Sequence, residues 1–260
     1  MLTIFTTCKP FNDRFAAPQW NALTSWLLMR PRPDVILFGD ESGTEMVARE
    51  LRIRHIPHVA RDKFGLPRLD YIFNRAQLLS RNDLMAYINS DILLVEGFSE
   101  AVHLAAMHFD EFLVVGRRTD VALDYRLDFR ADWRKRARYL ADEGELYSPC
   151  SSDYFAFRRP LPWSLPAFTA GRPRWDNWMM WAACDAGIPV VDATEVVLAL
   201  HPRHGFGASG AATYKQFHKG ESSQGNKALV REDQKYCHKH VQRAGNLWRI
   251  IPGKGIVKVD

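Results

Sequence analysis

The sequence predicts an α/β fold, with a mostly parallel central sheet, helices on both of its faces, and a small subregion beside it. Two observations carry this expectation. Short apolar runs alternate with stretches of helical spacing along the first half of the chain, the pattern of buried strands covered by helices. The 260 residues, 47% of them hydrophobic, are enough to bury the core of one large α/β domain or two small ones.

The elements follow in order. Residues 2–6 form an apolar first strand that closes in Thr6-Thr7-Cys8-Lys9-Pro10. Residues 19–29 have helical spacing at Trp20, Leu23, Leu27 and Leu28 and stop before Pro31, which cannot continue a helix. Residues 34–38 make a second strand, closed by Gly39-Asp40-Glu41-Ser42-Gly43, and 44–51 a short helix. A third, interrupted strand spans 53–59, an amphipathic helix 69–79, and a fourth strand 84–88. A helix over 99–109 and a strand over 112–115 complete this half. Beyond Gly116 come a charged helix (128–140), an alternating strand (153–157), and a Pro- and Gly-rich ordered loop (161–173). A helix over 175–186 follows, with Gly187 at its C-cap, then strands at 189–192 and 196–200. Residues 205–225 carry five glycines and read as a mobile connector or a closing loop.

Composition excludes some classes. No apolar run reaches the roughly 18–20 residues of a membrane span, and the N-terminus has neither the basic region nor the cleavage site of a signal peptide. Cys8, Cys150, Cys184 and Cys237 are scattered without a Cys-x-x-Cys pair, which fits reduced thiols better than disulfides or zinc. The formal charge is +5, and from Thr213 onward ten Lys/Arg stand against four Asp/Glu. That basic tail fits a solvated face and equally a contact with phosphates or an anionic membrane. Nucleic acid is not expected, because the aromatics lie in apolar runs and do not interleave with the basic residues.

Ligands of open parallel sheets sit beyond the C-terminal ends of the strands. That rule singles out Thr6, Thr7, Asp40 and the tripeptide Asn89-Ser90-Asp91. A carboxylate between apolar runs is costly to bury unless it is paired or holds a metal, and a hard divalent cation suits such an oxygen together with a diphosphate. The tripeptide also fits a simple turn. Arg75, on the helix before the fourth strand, has the forked geometry for a diphosphate or ribose, and also the spacing for an ion pair with Asp70. Asp176 opens a helix between Trp175 and Asn177-Trp178. A carboxylate there could deprotonate a hydroxyl and the tryptophans could stack on sugars, although capping and core packing fit the same residues. His201 ends the last apolar run and could join Asp91 at a metal.

Taken together and in this order, Phe73–Ala76, Asn89-Ser90-Asp91, Ser152–Phe157, Trp175–Trp178 and His201 resemble the GT-A-fold nucleotide-sugar glycosyltransferases of bacterial family-2 type, over residues 2–205. The resemblance implies one GT-A-like domain: 1–117 the nucleotide-sugar half, 118–205 the acceptor half, and 206–260 a basic C-terminal extension. It implies a nucleoside-diphosphate sugar donor at Thr6, Thr7, Asp40, Arg75, Asn89, Ser90 and Asp91. Asp153, Trp175 and Asn177 would line the acceptor or sugar pocket. Mn2+ or Mg2+ would be held by Asp91 and His201, and Asp176 would be the general base. The acceptor would be a hydroxyl of a glycan or glycolipid in surface polysaccharide synthesis, on a cytoplasmic protein with a possible peripheral membrane contact through its tail. The motif departs from Asp-x-Asp at Asn89, whose neutral amide binds such cations less tightly. That departure keeps an inert nucleotide- or glycan-binding module in view. A sugar nucleotidyltransferase would need a glycine-rich loop after the first strand, and residues 6–11 have no glycine.

Overall fold

The computed structural model describes residues 1–12, 14–203, 213–231, 234 and 246–259. The first half runs β1 (Leu2–Thr7), α1 (Ala16–Leu27), β2 (Asp34–Phe38), α2 (Thr44–Leu51), β3 (Arg54–Ile56), α3 (Leu69–Leu79), β4 (Leu84–Ile88), β5 (Leu93–Glu96), α4 (Phe98–His108) and β6 (Leu113–Val115). The second half runs β7 (Thr119–Val121), α5 (Trp133–Asp142), β8 (Glu145–Leu146), β9 (Tyr154–Arg158), α6 (Trp175–Asp185), β10 (Val190–Asp192), β11 (Leu198–Pro202), α7 (Tyr214–Lys219), α8 (Glu221–Ala228), β12 (Leu247–Ile251) and β13 (Gly255–Lys258).

Nine strands form the main sheet in the order β13-β12-β10-β6-β9-β4-β1-β2-β3. β3, β2, β1 and β4 are parallel, as are β6, β10 and β12; β9 and β13 run against their neighbours. Neighbouring residues of one strand face opposite sides, and both sides are apolar. Ile4, Leu37, Ala86 and Ile88 pack with Leu23 and Trp26 of α1 and Phe98 and Val102 of α4. Phe5, Ile36, Phe38, Met85 and Tyr87 pack with Ile72 and Phe73 of α3 and Met179 and Met180 of α6. The expected helix-covered parallel sheet is therefore the architecture found.

The small subregion is a second sheet, β5-β11-β7-β8, closed by α5 through Leu93, Val121, Trp133, Ala137 and Leu200. Three of the boundaries that differ from expectation do so for clear local reasons. β3 stops at Ile56 because Pro57 has no N–H for the ladder. The charged helix starts at Trp133 rather than 128, since the Asp128 side chain turns the chain by accepting from Arg130 N–H and Asp132 caps Lys135 N–H. Residues 214–228 are two short helices rather than a loop, while 204–212 lie outside the described residues. In α8 the buried Asn226 exchanges two hydrogen bonds with the Thr169 backbone, 2.8 and 3.1 Å. The stretch 206–260 is also more than a tail, because β12 pairs with β10 and extends the main sheet.

Candidate functional site

β1, β2 and β4 end on one edge, delivering Thr6 and Thr7, then Gly39 and Asp40, then Asn89, Ser90 and Asp91. β4 lies where the sheet reverses, parallel to β1 and antiparallel to β9. Its register sets Ile88 opposite Tyr154, so the next residue outward, Asn89, meets Asp153. The Asn89 backbone N–H donates to the Asp153 carbonyl at 2.9 Å, and its side-chain amide donates to Asp153 Oδ1 at 2.7 Å. A carboxylate at position 89 would face Asp153 with no proton to share, so the amide suits this place.

The second sheet supplies the rest. β5 starts two residues after Asp91 and pairs Leu93 with Leu200, which brings His201 to Asp91, Nε2 to Oδ2 at 3.9 Å. β7 sets Asp120 opposite His201, with Nδ1 3.0 Å from Asp120 Oδ1. A carboxylate only accepts, so the Nδ1 proton faces Asp120, and in the neutral ring Nε2 turns a lone pair toward Asp91. Arg118 Nε donates to Asp120 Oδ1 at 2.8 Å and Nη1 donates to Asp153, with the guanidinium 4.0 Å over the Tyr147 ring. On the other side of Asp91, Lys9 Nζ donates to Oδ2 at 2.8 Å. Asp91 and Lys9 are held there by one buried amide. Gln19 of α1 accepts from Lys9 N–H at 2.7 Å and from the Ser90 hydroxyl at 2.9 Å, and donates to the Lys9 carbonyl at 2.9 Å. A single network thus runs Lys9, Asp91, His201, Asp120, Arg118, Asp153, Asn89.

Charge is balanced within it. Burial opposes the charge of Arg118, but Asp153 and Asp120 outweigh burial and hold its pKa above the ordinary value. Burial also works to raise the Asp120 pKa, and the His201 hydrogen bond and Arg118 bring it below the usual carboxylate value. Asp176, half-buried in the first turn of α6, is pushed up to about 6. Burial is the main cause and the charge of Asp153 adds to it, against hydrogen bonds from Asn177 N–H and the Ser151 hydroxyl.

The other expected residues fall as follows. Trp175 is core, 4% exposed and packed on Tyr87, Phe155 and Phe73. Its ring is covered by those neighbours and offers no stacking face for a sugar; the expectation from sequence is corrected there. Asn177 donates to the Cys150 carbonyl at 2.9 Å and ties α6 to the loop before β9. Asp40 is exposed and paired with Arg61, which also bonds Glu41 at 2.9 Å. Thr6 Oγ1 donates to the Thr7 carbonyl at 3.4 Å. The Thr7 hydroxyl and Glu41 Oε2 are buried without a hydrogen-bond partner, and both flank Gly39. Arg75 is not brought to the network. It stands on the exposed face of α3, in a groove of about 500 Å³ with Arg68, Asp70, Tyr71 and Asn74. Lys9, Gln19, Glu41, Arg118 and Asp120 were not singled out from sequence; the one signal for Lys9 was its place directly after the first strand.

One carboxylate oxygen and one imidazole nitrogen 3.9 Å apart fit a divalent cation, whose bonds to such atoms run about 2.0–2.2 Å. No cluster of three or more His, Cys, Asp or Glu ligands occurs among the described residues. Phosphate and water commonly complete the shell of Mg2+ beside a nucleotide.

No protein-family model matches the sequence, and no characterised protein matches it by sequence. Solved structures do match. Staphylococcus aureus TarS in complex with UDP-GlcNAc aligns at TM-score 0.53 and 12% identity, over 94% of this chain and 70% of that one. Glucosyl-3-phosphoglycerate synthase from Mycobacterium tuberculosis aligns at 0.51 and 17%, over 88% and 78%. A Pyrobaculum calidifontis mannosyltransferase, in complex with GDP-Man and Mn2+, aligns at 0.46 and 14% over 84% of this chain, which spans 58% of that protein's length. The chain has the fold of the GT-A-type nucleotide-sugar glycosyltransferases.

Proposed function

We propose that the protein is a glycosyltransferase that moves a sugar from a nucleoside-diphosphate sugar to a hydroxyl acceptor. The observation that carries this reading is the network around Asp91, which lies beyond the C-terminal ends of β1, β2 and β4, where open α/β sheets bind nucleotides. Thr6, Thr7 and Asp40 would face the nucleoside, and the unpartnered Thr7 hydroxyl and Glu41 oxygen suit hydrogen bonds to it. Asn89, Ser90 and Asp91 would take the ribose and diphosphate, and Asp91 with His201 would hold Mn2+ or Mg2+. When bound, such a cation neutralises charge on a leaving diphosphate.

Asp176 is the proposed general base. With its pKa at about 6 it is mostly ionised at neutral pH, yet it binds a proton more readily than an ordinary carboxylate. Asp153 sustains that poise by its charge and, held by Arg118 and Asn89, lines the sugar pocket. Asn177 orients the start of α6. A glycan or glycolipid acceptor and a peripheral membrane contact through the basic C-terminal residues remain part of this proposal, as does a cytoplasmic site of action. Among the described residues no helix is long and apolar enough to cross a membrane.

Asp176→Asn should lower transfer by about 10²–10⁴-fold while nucleotide affinity stays within a factor of a few. Turnover at the wild-type rate in that variant would remove Asp176 as base. A second reading, an inert nucleotide-binding module, draws on the Lys9 ammonium that already neutralises Asp91. It expects nucleotide binding with no transfer to any hydroxyl acceptor.

A further inference from the structure

We propose that Lys9 competes with the divalent cation for Asp91, and that a nucleoside diphosphate draws Lys9 away, so that metal and nucleotide bind cooperatively. The second half of this proposal rests on the nucleotide-sugar reading above; the first half does not. Three observations support it.

The ammonium sits on the oxygen a metal would use. Lys9 Nζ is 2.8 Å from Asp91 Oδ2, the same atom that lies 3.9 Å from His201 Nε2. A divalent ion between that oxygen and the imidazole would lie within a few ångströms of the ammonium. Like charges so close, around a carboxylate that is only 9% exposed, repel strongly. The pairing is also built into the fold. Gln19, itself fully buried, binds both the Lys9 backbone and the Ser90 side chain, fixing the two loops that carry the pair. Finally, the side chain has somewhere to go. Its ammonium lies over the Phe15 ring at 4.9 Å and the side chain is 30% exposed, so it can swing toward solvent while Gln19 keeps its backbone in place. Phosphate is the partner that suits a compact, strongly hydrated ammonium on a flexible stem.

With the diphosphate absent, Asp91 is neutralised and metal binding is weak. When diphosphate arrives, Lys9 would move onto phosphate, and Asp91 Oδ2 and His201 Nε2 would be the groups that hold the cation beside it. Linkage makes the coupling reciprocal, so metal must tighten nucleotide binding by the same factor.

The test is titration of the full-length protein with Mn2+ alone, followed by calorimetry and by the electron paramagnetic resonance signal of free Mn2+. Lys9→Met should bind Mn2+ at least tenfold tighter than the wild type, and Asp91→Asn on that background should erase the gain. UDP, GDP or dTDP should tighten Mn2+ binding in the wild type and do so much less in Lys9→Met. Lys9→Gln gives the same comparison with a polar side chain, should the methionine disturb folding. If both folded variants bind Mn2+ no more tightly than the wild type, the competition is refuted. The metal-alone arm uses no nucleotide, so it stands apart from the donor reading. That reading fails separately if none of the three diphosphates binds either protein.

Discussion

Asp176 is where residue-scale chemistry meets stability. Its carboxyl titrates near 6 in the folded chain and near the ordinary carboxylate value when unfolded. The folded state therefore holds a proton that the unfolded state has lost between about pH 4 and 6, and stability falls as pH rises through that window. Asp176→Asn mimics the protonated form. It should stabilise the protein by about 1–3 kcal/mol at pH 7–8 and change little at pH 4, as denaturant unfolding at the two pH values would show. Equal effects at both would mean the carboxyl is not strained by burial. The same ionisation should give kcat/KM an acidic limb near pH 6, falling about tenfold per pH unit below it. Residue by residue, Asn89, Asp91, Asp176 and His201 stand out in the sequence because each lies at a strand end or helix start beside an apolar run, while Asp153 entered only through the family resemblance. Lys9, Gln19, Arg118 and Asp120 do not stand out. They act through contacts 35 to 82 residues away in sequence, and no spacing rule reaches that far. For Trp175 the spacing already favoured core packing, and the structure buries it there; its place in the sugar pocket came only from the family resemblance.

At the scale of elements, β1, β2, β4 and the helices of the parallel half could be read because each is an apolar or amphipathic run of five residues or more. β5, β7 and β8 could not. They are two to four residues long and exist by virtue of pairing with β11 or with each other. Yet this second sheet is what carries His201 to Asp91. Its junction with α4 is Gly97, at φ +81°, where an added Cβ would sit 1.8 Å from the Val196 carbonyl oxygen. That atom is backbone and leads directly into β11, so neither side can yield cheaply. Gly97→Ala should destabilise the protein by about 3 kcal/mol or more and should weaken nucleotide binding together with stability, through the displaced His201. A midpoint of urea unfolding equal to that of the wild type would show that the β5–α4 junction has slack.

At the scale of the molecule, the sequence indicated the α/β sheet but not how far it extends. Residues 206–260 read as a basic extension because their charge dominates the local pattern. Leu247, Ile250 and their neighbours are nonetheless sheet core, bound to β10. β12 is a five-residue, largely apolar run, Leu247–Ile251, set between polar, basic stretches, and the charge of its surroundings masks it. The assembled sheets join five separate chain regions (1–20, 84–94, 117–121, 153 and 198–203) in one network around Asp91. That convergence makes Asp91 the anchor of the nucleotide site we propose. That role is tested most directly by thermal unfolding of the wild type and Asp91→Ala with UDP-, GDP-, CMP- and dTDP-sugars, with and without Mn2+. A ligand at a hundred times its Kd adds about 2.7 kcal/mol, or roughly 5–10 °C in a chain of this size. We expect one nucleotide class to give that shift in the wild type, enhanced by Mn2+ and absent in Asp91→Ala. No shift with any of the four, or the same shift in Asp91→Ala, would contradict it.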